Sequence, residues 1–312
     1  MRMIDVITLG ETMAALRAGG PLRLGGTLAL SVAGAEANVA IGLSRLGHAV
    51  RWVGVTGADE LGELVLRTLR AEGVDVSACA VDPHAPTGLI IFEPRVAGVT
   101  RVSYYRTGSA GSRLSEAEVD VAFAAGPPRV LHVTGITPAL GPGPAAAVAR
   151  AVERARAAGA TVCLDVNHRA RLWTVADAAA ALRPLLSSVD LVVASDDELP
   201  VLAGTDPVAA LFAAGVREVV VKRGAAGASA YTVTEAVERP ARSVPVVDTV
   251  GAGDAFVAGY LSGLLDGVDL AARLDRAVTT GAFAVAARGD WEGLPTRTEL
   301  GLLDAVPGTT VR

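Results

Sequence analysis

Residues 248–261 read DTVGAGDAFVAGYL. Two glycines bracket Ala252, an aspartate follows at once, and an apolar run with helical spacing begins. A turn alone needs one glycine. Two of them at a helix start let the backbone approach an anion, because no Cβ stands in the way. The first amides of a helix are unpaired and carry a partial positive charge, which would also keep Asp254 ionised. Behind them Phe256, Val257, Tyr260, Leu261, Leu264 and Leu265 share one helical face, while Ala258, Gly259 and Gly263 predict close packing against a neighbour. Taken alone, the stretch is explained better as an Asp N-cap after a glycine turn. A Rossmann dinucleotide loop is a third reading, set back by Phe256 at the third glycine position and by the late place in the chain.

Outward from this stretch, strand-like apolar runs at 4–9, 50–55, 130–133, 161–166, 191–194 and 218–222 alternate with helical periodicity. The helical stretches are 35–46, 61–71, 145–157, 178–186, 255–265 and 271–287. Strands apolar throughout, each followed by a helix, predict an α/β fold: a mostly parallel central sheet between two helical layers. Polar residues and glycine gather where strands end, at Gly10-Glu11, Thr56-Gly57, Thr134-Gly135, Asp165-Val166-Asn167, Ser195 and Arg223-Gly224. Ligands of open α/β sheets sit at those ends, so these positions should line one crevice. Two segments, about 12–33 and 85–106, break the rhythm with short β-type pieces at 27–32, 87–92 and 101–105. In RVSYYR (101–106), Val102, Tyr104 and Arg106 share one side and Ser103 and Tyr105 the other. A small sheet inserted in a single domain over 1–312, with one face above the crevice, would act as a lid.

The 312 residues are 51% hydrophobic and 20% charged, enough to bury a sizeable core. The formal charge of −5 argues against a nucleic-acid partner, which demands a basic face. Cys79 and Cys163 lie far apart, with no metal-ligand or redox spacing. Asp5 and Glu11 interrupt the N-terminus before a signal-type apolar core could build, and no later stretch suits a bilayer span. A soluble cytoplasmic protein without a membrane partner is expected. Lys222 is the only lysine among 28 basic residues, so the Gly-Lys-Ser/Thr of a Walker A loop is absent. Nucleotide phosphates would need another device.

The N-terminal third contains GAEANVAIGLSRLG (34–47), a glycine turn leading into a helix with Asn38 one turn in. With the opening strand ending at Gly10-Glu11, TGADELG (56–62), KRGAAG (222–227) and DTVGAGDAF in this order, the chain resembles the ribokinase-like (PfkB) carbohydrate kinases essentially end to end. The resemblance implies the ribokinase-like three-layer fold, ATP and Mg²⁺, and a homodimer formed through the lid sheet. It implies that Gly251, Ala252 and Gly253 form an anion hole for the transferring phosphoryl group, with Asp254 as the base. In a loose phosphoryl-transfer transition state the hydroxyl proton leaves late, so a well-placed carboxylate with an unraised pKa would suffice. ATP is implied at Asn167, Ser195, Lys222, Arg223, Gly224 and Gly227 together with Gly251 and Gly253. Ser195-Asp196-Asp197-Glu198 matches the family's Asn-x-x-Glu, with Ser195 for the Asn, so Glu198 would meet Mg²⁺ through water. Val278 stands where relatives often carry an Asn near the adenine.

Four further stretches, SYYRTGSAGSRL (103–114), HVTGITPAL (132–140), LDVNHRARLW (164–173) and RGDWEGLP (288–295), are similar to those of 2-keto-3-deoxygluconate (KDG) kinases. That similarity implies substrate contacts at Gly34, Asn38, Tyr104, Arg106, Arg169 and Asp290, with Asn167 beside both ligands. Arg106 and Arg169 would converge on one carboxylate, a charge-assisted contact worth roughly 1.5–3 kcal/mol. Either arginine also fits a surface salt bridge or a phosphate ligand. Ile90 replaces a tyrosine frequent in that branch. Three other readings stay open: a kinase for a neutral sugar such as ribose or fructose, a non-catalytic sugar or nucleotide sensor, and a nicotinamide dehydrogenase.

Overall fold

The computed structural model describes residues 3–96 and 99–305. An eight-stranded sheet runs in the order Ala236–Arg239, Ala228–Thr232, Glu218–Lys222, Leu191–Ser195, Thr161–Asp165, Val130–Thr134, Val6–Leu9, Val50–Val53. The last six are parallel and the first two add antiparallel at one edge. Successive residues of the parallel strands feed opposite faces: Val219 and Val221 enter one apolar cluster, Val220 the other. The helices Pro142–Ala157 and Val175–Leu182 cover the first face; Ala35–Arg45, Ala252–Asp266 and Leu270–Val285 cover the second. Three α/β/α layers result. Among the described residues no helix is long and apolar enough to cross a membrane.

Local chemistry moves several boundaries. The expected helix at 178–186 begins earlier, at Val175, where Thr174 and Asp177 form a reciprocal cap, and its α-helical part ends at Leu182, just ahead of Pro184. The helix Glu116–Ala124 was not expected, although its Ser115/Glu118 capping box is written in the sequence. The antiparallel strands Ala228–Thr232 and Ala236–Arg239, the second of which forms the sheet's edge, likewise lack the apolar density that marks the parallel strands.

The helix Ala252–Asp266 is buried nearly all round rather than on one face. The small residues explain how. A Cβ on Gly259 would overlap the Thr280 side chain, and one on Gly263 would press on Arg273, while Ala258 fills the space over Gly42.

A second sheet of four strands runs in the order Leu28–Ala33, Met13–Ala18, Leu89–Pro94, Thr100–Tyr105. Its register places Arg17 opposite Phe92, Ala15 opposite Ile90, and Ile90 opposite Tyr104. Ile90, Phe92, Val102 and Tyr104 therefore share the face that lines the cleft. Leu16, Leu28, Leu30, Ile91 and Tyr105 share the other.

Candidate active site

The carboxyl ends of the parallel strands, the small sheet and the N-terminus of Ala252–Asp266 enclose a cleft of about 470 Å³. Gly34, Asn38, Tyr104, Arg106, Asn167, Arg169, Asp290 and Asp254 line it, as do Ser195, Glu198, Lys222, Gly224, Gly251 and Gly253. Three expected residues do not. Ala252 is the first helical residue, behind Gly251. Arg223 turns to the edge strands, where it donates to Ser229 and to the Tyr231 hydroxyl at 3.1 Å. Gly227 has φ +96° and its α-carbon abuts the Arg239 carbonyl, which makes it a turn residue.

Asp254 is not an N-cap. Gly251 holds that position at φ +76° and no side chain caps the helix, so the amides of Gly253 and Asp254 find no acceptor among the described residues. The Asp254 carboxylate instead takes a hydrogen bond from Asn38 Nδ2 at 2.7 Å, with Asn167 Nδ2 3.5 Å from its other oxygen. The two glycines differ in kind. At Gly251 a Cβ would overlap the Asp290 carbonyl, so the space is claimed by the protein's own backbone. At Gly253 the nearest atom is Lys222 Nζ, 3.8 Å from where a Cβ would be, so open space there faces an ammonium group.

Burial pushes the Asp254 carboxyl up to about 7, against the Asn38 hydrogen bond and the Arg169 charge. The expectation of an ionised group with an unraised pKa is thereby corrected. Desolvation over a nine-tenths buried side chain outweighs what a helix terminus contributes, typically about 0.3–1 kcal/mol.

Lys222 Nζ sits 2.9 Å from Asp165 Oδ1 and 3.9 Å from Glu198. Burial alone would lower its pKa, but these charges outweigh it and the ammonium form is favoured. Asp165 Oδ2 accepts from Asn167 Nδ2 at 3.3 Å, so lysine, Asp165, Asn167 and Asp254 form one chain of contacts. Asn167 holds φ +40°, the only non-glycine with positive φ among the described residues, a strain of the kind found at ligand clamps. Glu198 spends its two oxygens on the backbone amides of His168 (3.0 Å) and Ser195 (2.8 Å).

At the end of the cleft beneath the small sheet the two arginines differ from expectation. Arg106 is paired with the buried Glu11, Nε at 2.7 Å and Nη2 at 2.5 Å, and Ser109 donates to the same carboxylate. Its Nη1 has no partner among the described residues and is left for a ligand. Arg169 is exposed and donates to its neighbour's carbonyl at 3.2 Å. Asp290 is held by Arg17, a residue to which no sequence motif pointed; burial nevertheless pushes Asp290 up to about 6, with Arg17 opposing. Asn38 Oδ1 is buried without a partner among the described residues, an acceptor open to a ligand.

The uncapped amides, the ammonium beside them and the open space at Gly253 fit an anionic phosphate. Among the described residues no three acidic, His or Cys side chains form a metal cage. A Mg²⁺ ion therefore fits only as an ion carried on nucleotide phosphates and water.

Comparison with known proteins agrees with this geometry. The family model for the pfkB family carbohydrate kinases matches residues 3–297. The 2-dehydro-3-deoxygluconokinase of Thermoproteus tenax is 40% identical, covering 95% of this chain and 93% of its own. The enzyme of the same name from Bacillus subtilis (strain 168) is 38% identical, covering 95% and 94%. A candidate ribokinase II from E. coli, solved with ATP and Mg²⁺, superimposes with a TM-score of 0.90 at 27% identity, covering 97% and 99%. The open sensor and dehydrogenase readings fall with these matches: the chain belongs to the pfkB family of carbohydrate kinases, which transfer phosphate from ATP with Mg²⁺.

Proposed function

We propose that this kinase phosphorylates the terminal hydroxyl of a sugar acid, 2-dehydro-3-deoxy-D-gluconate, to the 6-phosphate. The observation that carries the reading is the turn of Asp254 away from its own helix amides and into the cleft, beside Asn38. Carboxylate and free amides then face one point, where a hydroxyl and a terminal phosphate would meet. As the hydroxyl oxygen bonds to the γ-phosphorus, its proton passes to Asp254 and the bond to ADP breaks. The amides of Gly253 and Asp254 and the Lys222 ammonium take up charge on the phosphoryl oxygens. Asn167 keeps Asp254 and Asp165 apart while facing both ligands. Mg²⁺, when bound, would supply positive charge against the phosphate oxygens, and Glu198 would help to hold it through water.

The sugar lies under the small sheet, which serves as its lid. Gly34 offers backbone there, since a Cβ would crowd the Glu11 carbonyl at 2.6 Å. Tyr104, Arg106 Nη1 and Arg169 meet the carboxylate, and Asn38 Oδ1 and Asp290 accept from hydroxyls. A neutral sugar is the second reading, and one contact favours it: Glu11 already cancels the Arg106 charge. A coupled ADP assay with 2-dehydro-3-deoxygluconate, gluconate, ribose and fructose separates the two, with product mass confirming one added phosphate. We expect the keto acid to give the highest kcat/KM, by about tenfold or more for one charge-assisted contact. Equal or better turnover of ribose or fructose would remove the sugar-acid assignment.

Two copies pair through the outer face of the lid sheet, where Leu28 is 43%, Leu30 52% and Tyr105 62% exposed. Light scattering should give a dimer for the native chain and a monomer for Leu30→Lys; a native monomer would end this reading. The free thiols suit a reducing cytoplasm, the compartment we assign.

A further inference from the structure

Arg17 stands in an inner strand of the small sheet, with its guanidinium 4.1 Å over the Phe92 ring. From there Nη1 reaches Asp248 at 2.8 Å and Nη2 reaches Asp290. The three side chains are 10%, 16% and 8% exposed. Both acids belong to the walls of the glycine turn. Asp248 opens that turn and its Oδ1 accepts from the Val250 amide at 3.1 Å. Asp290 packs its carbonyl on Gly251, where no Cβ could fit. The same loop is fastened to the sheet twice more, by Trp291 Nε1 on the Val32 carbonyl at 3.0 Å and by Ser31 Oγ on Glu292 at 2.5 Å.

We infer that Arg17 is a positioning residue for the transfer reaction, holding the Asp290 carboxylate toward the sugar while tying the small sheet to the 248–251 turn. The inference rests on the proposed sugar role of Asp290. Its physical ground is charge balance in a buried place. After Arg17, the strongest charges acting on Asp290 are those of Glu292 and Asp248, both negative. Without the guanidinium, the buried Asp290 would face the partly buried Asp248 uncompensated, with the exposed Glu292 adding to the repulsion, and Asp290 would take a proton or swing away. A protonated acid donates where a sugar hydroxyl needs an acceptor. One guanidinium with two forked partners thus sets sugar binding and turn geometry together.

The test uses whichever sugar the wild type phosphorylates best, with Arg17→Met, Arg17→Lys, Asp290→Asn and the Arg17→Met/Asp290→Asn double variant. Arg17→Met should raise the sugar KM about 10- to 100-fold, as a misplaced binding group does, and leave the ATP KM nearly unchanged. The double variant should bind sugar no worse than Asp290→Asn alone. Additive effects, or a fall in kcat with both KM values unmoved, would overturn the inference. An unchanged sugar KM in Asp290→Asn would instead overturn the sugar role of Asp290, and the inference with it. If Arg17→Met fails to fold, Arg17→Lys decides, because lysine keeps the charge but lacks the fork that spans both acids. A raised sugar KM supports the role and an unchanged one ends it.

Discussion

Asp254→Asn should lower kcat by roughly 10²–10⁴-fold, the usual reach of a lost general base, while the protein stays folded. Asparagine keeps an oxygen for the Asn38 amide and fills the same volume, so the packing around it survives. The pH dependence follows from the burial of this carboxyl. Asp254 titrates near 7 in the folded chain against an ordinary 3.8, so native kcat/KM should fall on the acid side of about pH 7, where the base is protonated. Stability runs the other way. A carboxyl whose pKa is raised on folding stabilises the native state below its unfolded value and loses that contribution as pH rises through the folded one. At pH 8 the wild type therefore carries a buried charge that the variant lacks, and Asp254→Asn should melt no lower than wild type. Near-normal turnover in the variant, or a rate profile flat between pH 5 and 8, would remove Asp254 from proton transfer.

Gly251→Ala should cost about 10²–10³-fold in kcat, the loss that follows when an oxyanion donor is displaced. The backbone there is left-handed, which disfavours an L side chain by roughly 1–2 kcal/mol, and the new methyl would meet the Asp290 carbonyl. Relief requires moving either the turn or the loop that carries Asp290, so a drop in melting temperature should accompany the loss. Gly253→Ala is the control. Its φ is not positive and its nearest neighbour is a flexible lysine tip at 3.8 Å, so it should fold normally and show its defect in ATP KM. Similar melting temperatures for both variants would contradict the distinction between them.

The parallel core was legible because each of its strands is an apolar run buried on both faces, with Glu218–Lys222 found to the residue. The two antiparallel strands beside it were not, since Ser229, Thr232, Glu238 and Arg239 break up the apolar run that marks the parallel strands. In the cleft, residues within short motifs were legible because neighbours in sequence share a turn. Glu11 was expected at the crevice and lines it, but its pairing with Arg106, like Arg17 altogether, escaped because the partners lie far along the chain, and pairing across such distances leaves no local pattern. The charge state of Asp254 was misread for a related reason. A helix start is visible in sequence, while the desolvation that outweighs it comes from the sheet and helices packed around it.

Arg17 meets its two partners 231 and 273 residues later in the chain. During synthesis the small sheet can pair its own strands once residue 105 has emerged, but its anchorage waits first for Asp248 and then for Asp290. A nascent chain halted before Asp248 would thus present a flap with a lone guanidinium over an unfinished cavity, unable to close on either reactant.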